Sequence, residues 1–347
     1  MKAAVTTGPG QIEIHENLPK PQFKEGVLVC VKTTGFCATD VKMIRGLKPG
    51  MKYPMIFGHE FSGIVAESTI PKYKNGDRIS VAPFCGCGHC YYCLNGEEQL
   101  CLNKSVISSG STAEFVSITP RLAFMASWLM PDEVTWDEGA LCEPLACVIL
   151  SLRSCGFKPG ESVLVMGAGV MGQLHVLLSK AWGASHVMVC EPDPVRRQMA
   201  KNFGADVIDP TNCENVGEWV RSSLGGRGPD IIIAAAGVKA VADAAIKAAG
   251  IATRIHLFGG MPHDTVVEIS AFDIHYKRVT LLGTSGFRSV DLQCASDMIK
   301  GHTIDLSKIV THRFSVDRAM EAFNMAQKPE ALKVMMDNTE FPNQNYK

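Results

Sequence analysis

Net charge is almost absent from this chain: 34 Lys+Arg stand against 35 Asp+Glu, giving −1. No block of like charge appears either, which argues against nucleic acid or an anionic membrane as a partner and leaves a small molecule as the expected ligand. No apolar run is long enough to cross a bilayer, and the opening Met-Lys-Ala-Ala-Val-Thr-Thr-Gly has no hydrophobic signal core. A soluble, cytoplasmic protein is expected. Internal repeats, low-complexity segments and long linkers are missing as well. With 46% hydrophobic and 20% charged residues the composition is that of an ordinary globular enzyme, so disorder is not expected. At 347 residues the chain exceeds what one core normally supports, and two domains are the expectation.

The most informative stretch runs from Glu161 to Asp193. An apolar run, Ser162 to Met166, turns through Gly167-Ala168-Gly169-Val170-Met171-Gly172, becomes helical towards Gly183, and ends in a second apolar run before Glu191. This reads as one βαβ unit with a dinucleotide fingerprint. The first glycine permits a tight turn, the second admits a pyrophosphate to the backbone, and the third lets helix pack on strand. The helix N-terminus then faces phosphate with unpaired N–H groups. Glu191 stands where an acid accepts hydrogen bonds from the adenosine ribose and repels a 2′-phosphate, so NAD is expected over NADP. Arg196 and Arg197, a turn or two later, are cations that could face a phosphate instead.

Residues 1 to about 135 read as short strands with turns: Lys2 to Thr6, Gln11 to His15, Val27 to Thr33, Phe61 to Val65, Arg78 to Val81 and Glu114 to Ile118. Gly and Pro punctuate this mostly β region, for example at Gly8-Pro9-Gly10 and Pro49-Gly50. A helix is expected from Trp136 towards Arg153. Strands then alternate with helices at Ser162 to Met166, Val187 to Cys190, Asp206 to Ile208, Asp230 to Ala234, Thr253 to Phe258 and Val279 to Leu282. That alternation predicts a doubly wound parallel sheet with helices on both faces. Helical pieces at Val290 to Lys300 and Ser315 to Ala326, then a strand Lys333 to Asp337, close the chain.

Thirteen cysteines are many for a reducing compartment, so their spacing is read first as metal chemistry. Cys87, Cys90, Cys93 and Cys101 follow C-x-x-C-x-x-C with a fourth eight residues on. Four thiolates can close a tetrahedron around Zn²⁺ with no position left for substrate, which makes this a structural site. A redox CxxC belongs instead on a thioredoxin-like helix. Cys85 and His89 are alternative ligands that fit the spacing less well. A second, dispersed set comprises Gly35-Phe36-Cys37-Ala38-Thr39-Asp40, Gly58-His59-Glu60 and Cys142-Glu143-Pro144. Singly, each is more simply a buried cysteine or a satisfied polar residue. Together they offer one thiolate, one imidazole and carboxylates, the donor set of an open catalytic zinc.

With these motifs, Gly76-Asp77-Arg78, Ala113-Glu114-Phe115-Val116 and Thr311-His312-Arg313-Phe314, the chain resembles zinc-dependent medium-chain dehydrogenases/reductases from end to end. The resemblance implies a GroES-like catalytic domain (residues 1–140, with a C-terminal return 284–347) interrupted by a Rossmann domain (141–283). It implies a homodimer or homotetramer holding two zincs per chain, one catalytic and one structural. It also implies Cys37 and His59 as catalytic zinc ligands, with Glu60 and Glu143 as the carboxylates near the remaining coordination. Simple alcohol dehydrogenases place a second cysteine there. Glu143-Pro144 resembles the polyol-oxidising branch instead, with Pro144-Leu145 setting the register against the neighbouring Cys142.

The expected reaction is hydride transfer from a secondary alcohol of a polyol, polyol phosphate or cyclitol to NAD, giving a ketone. Thr39 is the residue expected to pass the proton outward, with an N-cap as its other role. Asp40 braces the turn. Lys42 stands where many relatives have a relay histidine; it is either a solvated lysine or, with Lys48, Lys52 and Arg288, a partner for an anionic substrate group. The alternatives are a threonine or amino-alcohol dehydrogenase, and a non-catalytic NAD-binding regulator. The latter has no use for Cys37, Thr39, His59 and Glu143 together.

Overall fold

A computed structural model describes residues 1–48, 50–213 and 215–338. Pro49 of the expected Pro49-Gly50 turn and residues 339–347 of the C-terminal return lie outside the described residues. Two compact units form, Met1–Ala146 with Phe287–Lys347, and Cys147–Gly286. No helix among the described residues is long and apolar enough to cross a membrane.

The first unit opens with a hairpin of β1 (Ala3–Gly8) and β2 (Gln11–His15), whose turn needs Gly10 at φ +75°. Next come β3 (Val27–Gly35), α1 (Ala38–Ile44), β4 (Met55–Ile56), β5 (Glu60–Ser68) and β6 (Arg78–Val81). A cysteine-rich lobe carries β7 (Phe84–Cys85), α2 (Tyr91–Leu94) and β8 (Ser105–Val106). The chain continues through β9 (Phe115–Ile118), α3 (Pro120–Met125), β10 (Ser127–Leu129) and α4 (Trp136–Ser154), within which the unit boundary falls. The helix α3 interrupts a stretch whose pattern reads only as strands and turns. Its signal is local: Thr119 caps it by accepting the Leu122 N–H, and Pro120 takes the first turn, where its missing N–H costs nothing.

The second unit alternates β11 (Ser162–Met166), α5 (Val170–Ala181), β12 (His186–Cys190), α6 (Pro194–Asn202), β13 (Asp206–Ile208), α7 (Val216–Ser223) and β14 (Ile231–Ala234). It ends with α8 (Lys239–Ala248), β15 (Arg254–Leu257), α9 (Ala271–His275) and β16 (Thr280–Gly283). The six strands are all parallel in the order β13-β12-β11-β14-β15-β16. Because side chains alternate across a strand, Leu164, Met188 and Ile232 pack under α7 and α8. Val165 points the other way, towards Gly172 of α5. Helices therefore cover both faces, as the alternating pattern predicts.

The chain returns to the first unit with α10 (Ser289–Lys300), β17 (Val310–Ser315), α11 (Ala319–Met325) and β18 (Lys333–Asp337). The run Ser315 to Ala326, expected as one helix, is a strand end, a 3₁₀ turn at Val316–Arg318 and a shorter helix. Ser315 stays extended because β17 pairs in parallel with β18, Ser315 opposite Asp337. The resulting sheet runs β10-β6-β5-β3-β18-β17, with β9 also on β3. β3 is fully buried at its centre. Its last residue, Gly35, lies between Glu60 of β5 and Met335 of β18.

Inside the second unit His175 is fully buried, its Nδ1–H donating to the Met171 carbonyl at 2.7 Å while Nε2 accepts from the Ser151 hydroxyl at 3.0 Å. Burial lowers its pKa from 6.5 to about 3, and lowers that of His256 to about 4. Between the folded value and 6.5 the unfolded chain binds a proton that the folded chain refuses, so stability falls as pH drops through this window. At pH 5 each histidine should remove about 2 kcal/mol. Thermal unfolding from pH 7 to pH 5 should show this decline, flattened in His175→Gln; equal slopes in the two proteins would refute it.

Candidate active site and metal centres

In the lobe, four sulfurs lie within 4.8 Å of one another. The separations are 3.5 Å from Cys90 to Cys93, 3.7 Å from Cys90 to Cys101, and 4.0 Å from Cys87 to Cys93. A tetrahedron with Zn–S bonds of about 2.3 Å has edges of about 3.8 Å, so the donors present fit zinc. Backbone N–H groups of Cys87 and Asn103 donate to Cys101 Sγ, both at 3.3 Å. The N–H of His89 holds the Cys87 thiol down to about 6, towards the thiolate a metal requires. Cys85 and the exposed His89 ring stand outside this group; burial pushes Cys85 up to about 12. Glu98 ties the lobe to α10, accepting from Gly86 N–H at 2.9 Å, Ser289 N–H at 2.8 Å and the Ser289 hydroxyl at 2.6 Å.

A second cluster, within the same unit, joins Cys37 Sγ, a ring nitrogen of His59 and a carboxylate oxygen of Glu60. Cys37 ends the loop after β3 and caps α1. The cap is Cys37 rather than Thr39: its sulfur accepts the Thr39 N–H at 3.5 Å and Asp40 closes the box on the Cys37 N–H at 2.9 Å. Thr39 is exposed in the first turn of α1. The buried Asp40 does more than brace its own turn. Its other oxygen accepts from Gly58 N–H and His59 Nδ1–H, each at 3.2 Å, which orients the ring and leaves Nε2 as the donor for a metal. Burial opposes charge on His59, but Asp40 and then Cys37 overcome it and hold its pKa well above the ordinary value.

Glu60 forms an ion pair with Lys333, both side chains almost wholly buried. Gly35 makes this contact possible, since a Cβ there would lie 2.3 Å from Glu60 Oε2. The other oxygen, Oε1, is buried with no hydrogen-bond partner among the described residues, an orphan acceptor that suits a cation. Thiolate, imidazole and carboxylate together match an open zinc site. Glu143 and Cys142 diverge on α4. Cys142 Sγ turns to the Leu292 carbonyl at 3.8 Å, and its pKa is set by burial and Trp128. Glu143 lies instead in the field of His59, Glu60 and Lys333, with burial pushing it up to about 7. It borders the three-residue group without belonging to it.

At the fingerprint Gly167 adopts φ +100°, and a Cβ on Gly172 would sit 2.0 Å from the Gly167 carbonyl. Among the described residues, none crowds Gly169 and no side chain caps α5, so its first N–H groups are available to a phosphate alongside Val170 and Met171. Glu191 is buried at the end of β12. Its carboxylate accepts from Ala168 N–H at 2.6 Å and Asp193 N–H at 2.9 Å, which fixes the acid against the glycine loop and leaves lone pairs for a ribose diol. Arg196 is half-buried on α6.

Residues 24–127 match the alcohol dehydrogenase GroES-like domain and residues 170–301 the zinc-binding dehydrogenase domain. Sorbitol dehydrogenase of Homo sapiens is 31% identical over 349 residues, covering 96% of this chain and 94% of that protein. L-threonine 3-dehydrogenase of Bacillus velezensis is 27% identical over 331 residues, 92% of this chain and 94% of that one. A zinc-binding dehydrogenase of Sinorhizobium meliloti, solved bound to NADP, superposes with TM-score 0.88 at 28% identity over 97% and 98% of the two chains. The chain belongs to the zinc-dependent medium-chain dehydrogenase family.

In this dehydrogenase Lys333 has a part that its sequence context does not announce. It opens β18 and lies 273 residues from Glu60, so no local pattern links them. The available signals are a lysine at the head of the apolar run 334–336 and a glycine two residues before Cys37. Arg288, expected as a fork for a substrate phosphate, has that fork taken by Asp291, with Nε to Oδ2 at 2.7 Å and Nη2 to Oδ1 at 2.9 Å. Lys42, Lys48 and Lys52 are exposed.

Proposed function

We propose that this dehydrogenase oxidises a secondary alcohol of a polyol or cyclitol to the ketone, with NAD as the preferred hydride acceptor. Residues 1–140 with the return 284–347 serve as the catalytic domain and residues 141–283 as the nucleotide domain. Cys37, His59 and Glu60 hold the catalytic zinc with Glu143 beside it, and Cys87, Cys90, Cys93 and Cys101 hold the structural one. The observation that carries this reading is the divergence of Cys142 and Glu143, which puts a carboxylate rather than a thiolate beside the cluster. When bound, zinc supplies a Lewis acid that lowers the pKa of the substrate hydroxyl, and NAD supplies the hydride acceptor. Asp40 keeps His59 in the tautomer that leaves Nε2 for the metal. The exposed Thr39 hydroxyl takes the departing hydroxyl proton and passes it to solvent, with no relay histidine at Lys42.

Because Arg288 is committed to Asp291, a free polyol is favoured over its phosphate. An amino alcohol is the second reading, since Glu60 and Glu143 form an acidic surrounding that suits an ammonium group. Two further features belong to the same proposal. Strand β16 ends its sheet with no further strand beside it among the described residues, and Phe272 and Tyr276 of α9 and its C-cap are exposed, which favours a homodimer or homotetramer. The second is a cytoplasmic location, where a reducing environment keeps the zinc-binding thiols available to metal. NADH formation across polyols, polyol phosphates, simple alcohols and amino alcohols tests the assignment. A polyol should give the highest kcat/KM; the lead passing to a threonine-like amino alcohol would install the second reading.

A further inference from the structure

Sequence position alone does not separate Arg197 from Arg196 as a partner for a coenzyme phosphate. The structure does. Arg197 lies on α6 and reaches back, its Nη1 donating to the carbonyls of Glu191 at 2.7 Å and Pro192 at 2.9 Å. Its Nη2 meets Asp209 Oδ2 at 3.0 Å, with only 20% and 19% of the two side chains exposed. Asp209 is held in turn: Oδ1 accepts from the Thr211 N–H at 2.9 Å and hydroxyl at 2.6 Å, and Oδ2 from Asn212 Nδ2 at 3.2 Å. The parallel pairing of β12 with β13, Cys190 opposite Ile208, puts Asp209 beside Glu191 at the strand ends. There the Glu191 N–H donates to the Ile208 carbonyl at 3.1 Å.

A carboxylate at the ribose repels a 2′-phosphate, but a guanidinium free to swing towards that phosphate would offset the repulsion through charge-assisted hydrogen bonds. We infer that Asp209 is a specificity-determining residue: by clamping Arg197 onto the Glu191 and Pro192 carbonyls, it withholds the cation that NADP would need. The inference rests on the reading of Glu191 as the ribose acceptor in an NAD-preferring enzyme. Asp209 touches no coenzyme in this scheme; it acts through Arg197. Selectivity is therefore a property of the ion pair as much as of Glu191.

Dissociation constants for NAD⁺ and NADP⁺, measured by titration calorimetry on the zinc-loaded protein, test it independently of turnover. Asp209→Asn keeps a side chain of the same shape for Thr211 while removing the charge that holds Arg197. It should tighten NADP⁺ binding about tenfold and leave NAD⁺ within about threefold of the parent. Adding Arg197→Met should abolish the gain. Equal affinity of the parent for both coenzymes would bring down the NAD-preferring reading and the inference with it. A parent that selects NAD⁺, with NADP⁺ binding no tighter in Asp209→Asn, would overturn the clamp alone. The clamp also fails if the selectivity ratio shifts only through weaker NAD⁺ binding, or if Arg197→Met leaves the NADP⁺ gain intact.

Discussion

Cys37→Ser should leave a folded chain whose turnover falls by at least about a thousandfold, the rate equivalent of several kcal/mol of lost Lewis-acid stabilisation. The fold should tolerate the change because Cys37 is a loop residue. The hydroxyl can still cap α1 by accepting the Thr39 N–H, and Asp40 still closes on the residue 37 N–H. What disappears is the thiolate that His59 and Glu60 converge on. Steady-state rates together with a melting curve decide the matter. A variant that keeps a tenth or more of parental turnover, or that melts far below the parent, would contradict the role given to Cys37.

In the metal-free protein Lys333→Met should cost stability on the scale of a broken buried ion pair, about 3–5 kcal/mol, because the Glu60 carboxylate loses the cation buried beside it. The site forbids an easy escape. Gly35 leaves space for the Glu60 carboxylate, and Glu60 Oε1 already has no hydrogen-bond partner among the described residues. For a chain of 347 residues the melting temperature should fall by about 4–7 °C. Adding Glu60→Gln removes the unpaired charge and should recover part of the loss. A single variant as stable as the parent would show that the pair contributes little; a double variant worse than the single would show that Glu60 is held by something other than Lys333.

Much of the architecture is legible in the sequence because its causes are local. The strands Gln11–His15, Arg78–Val81, Ser162–Met166 and Lys333–Asp337 occupy the spans their patterns indicate, since each is a short apolar or alternating run between turn residues. The glycine fingerprint is readable for the same reason: Gly167 and Gly172 answer to backbone geometry within six residues. Where partners are remote, the sequence does not say which residues meet. The strand Val310–Ser315 owes its extension to β18, so its last residue passes for the start of a helix. The Glu60–Lys333 pair depends on β3, β5 and β18 lying side by side with Gly35 between, a coincidence of register that no spacing rule encodes. Asp40 is readable as a brace, but its hold on His59, 19 residues along the chain, requires the intervening segment to fold back. The clamp of Arg197 by Asp209 needs the parallel pairing of β12 and β13.

The proposal that two sets of residues hold two metals for different purposes is tested most directly by zinc stoichiometry. Measured by atomic emission on protein freed of loosely bound metal, the parent should carry two zincs per chain. Cys37→Ser should carry one and melt near the parent temperature. Cys90→Ser should also carry one, but with lowered thermal stability, because the sulfurs of Cys87, Cys93 and Cys101 lose the ion that binds them together. One zinc in the parent would leave a nucleotide-binding protein with a metal-stapled lobe and no catalytic centre, and two zincs with undiminished stability in Cys90→Ser would refute the lobe assignment.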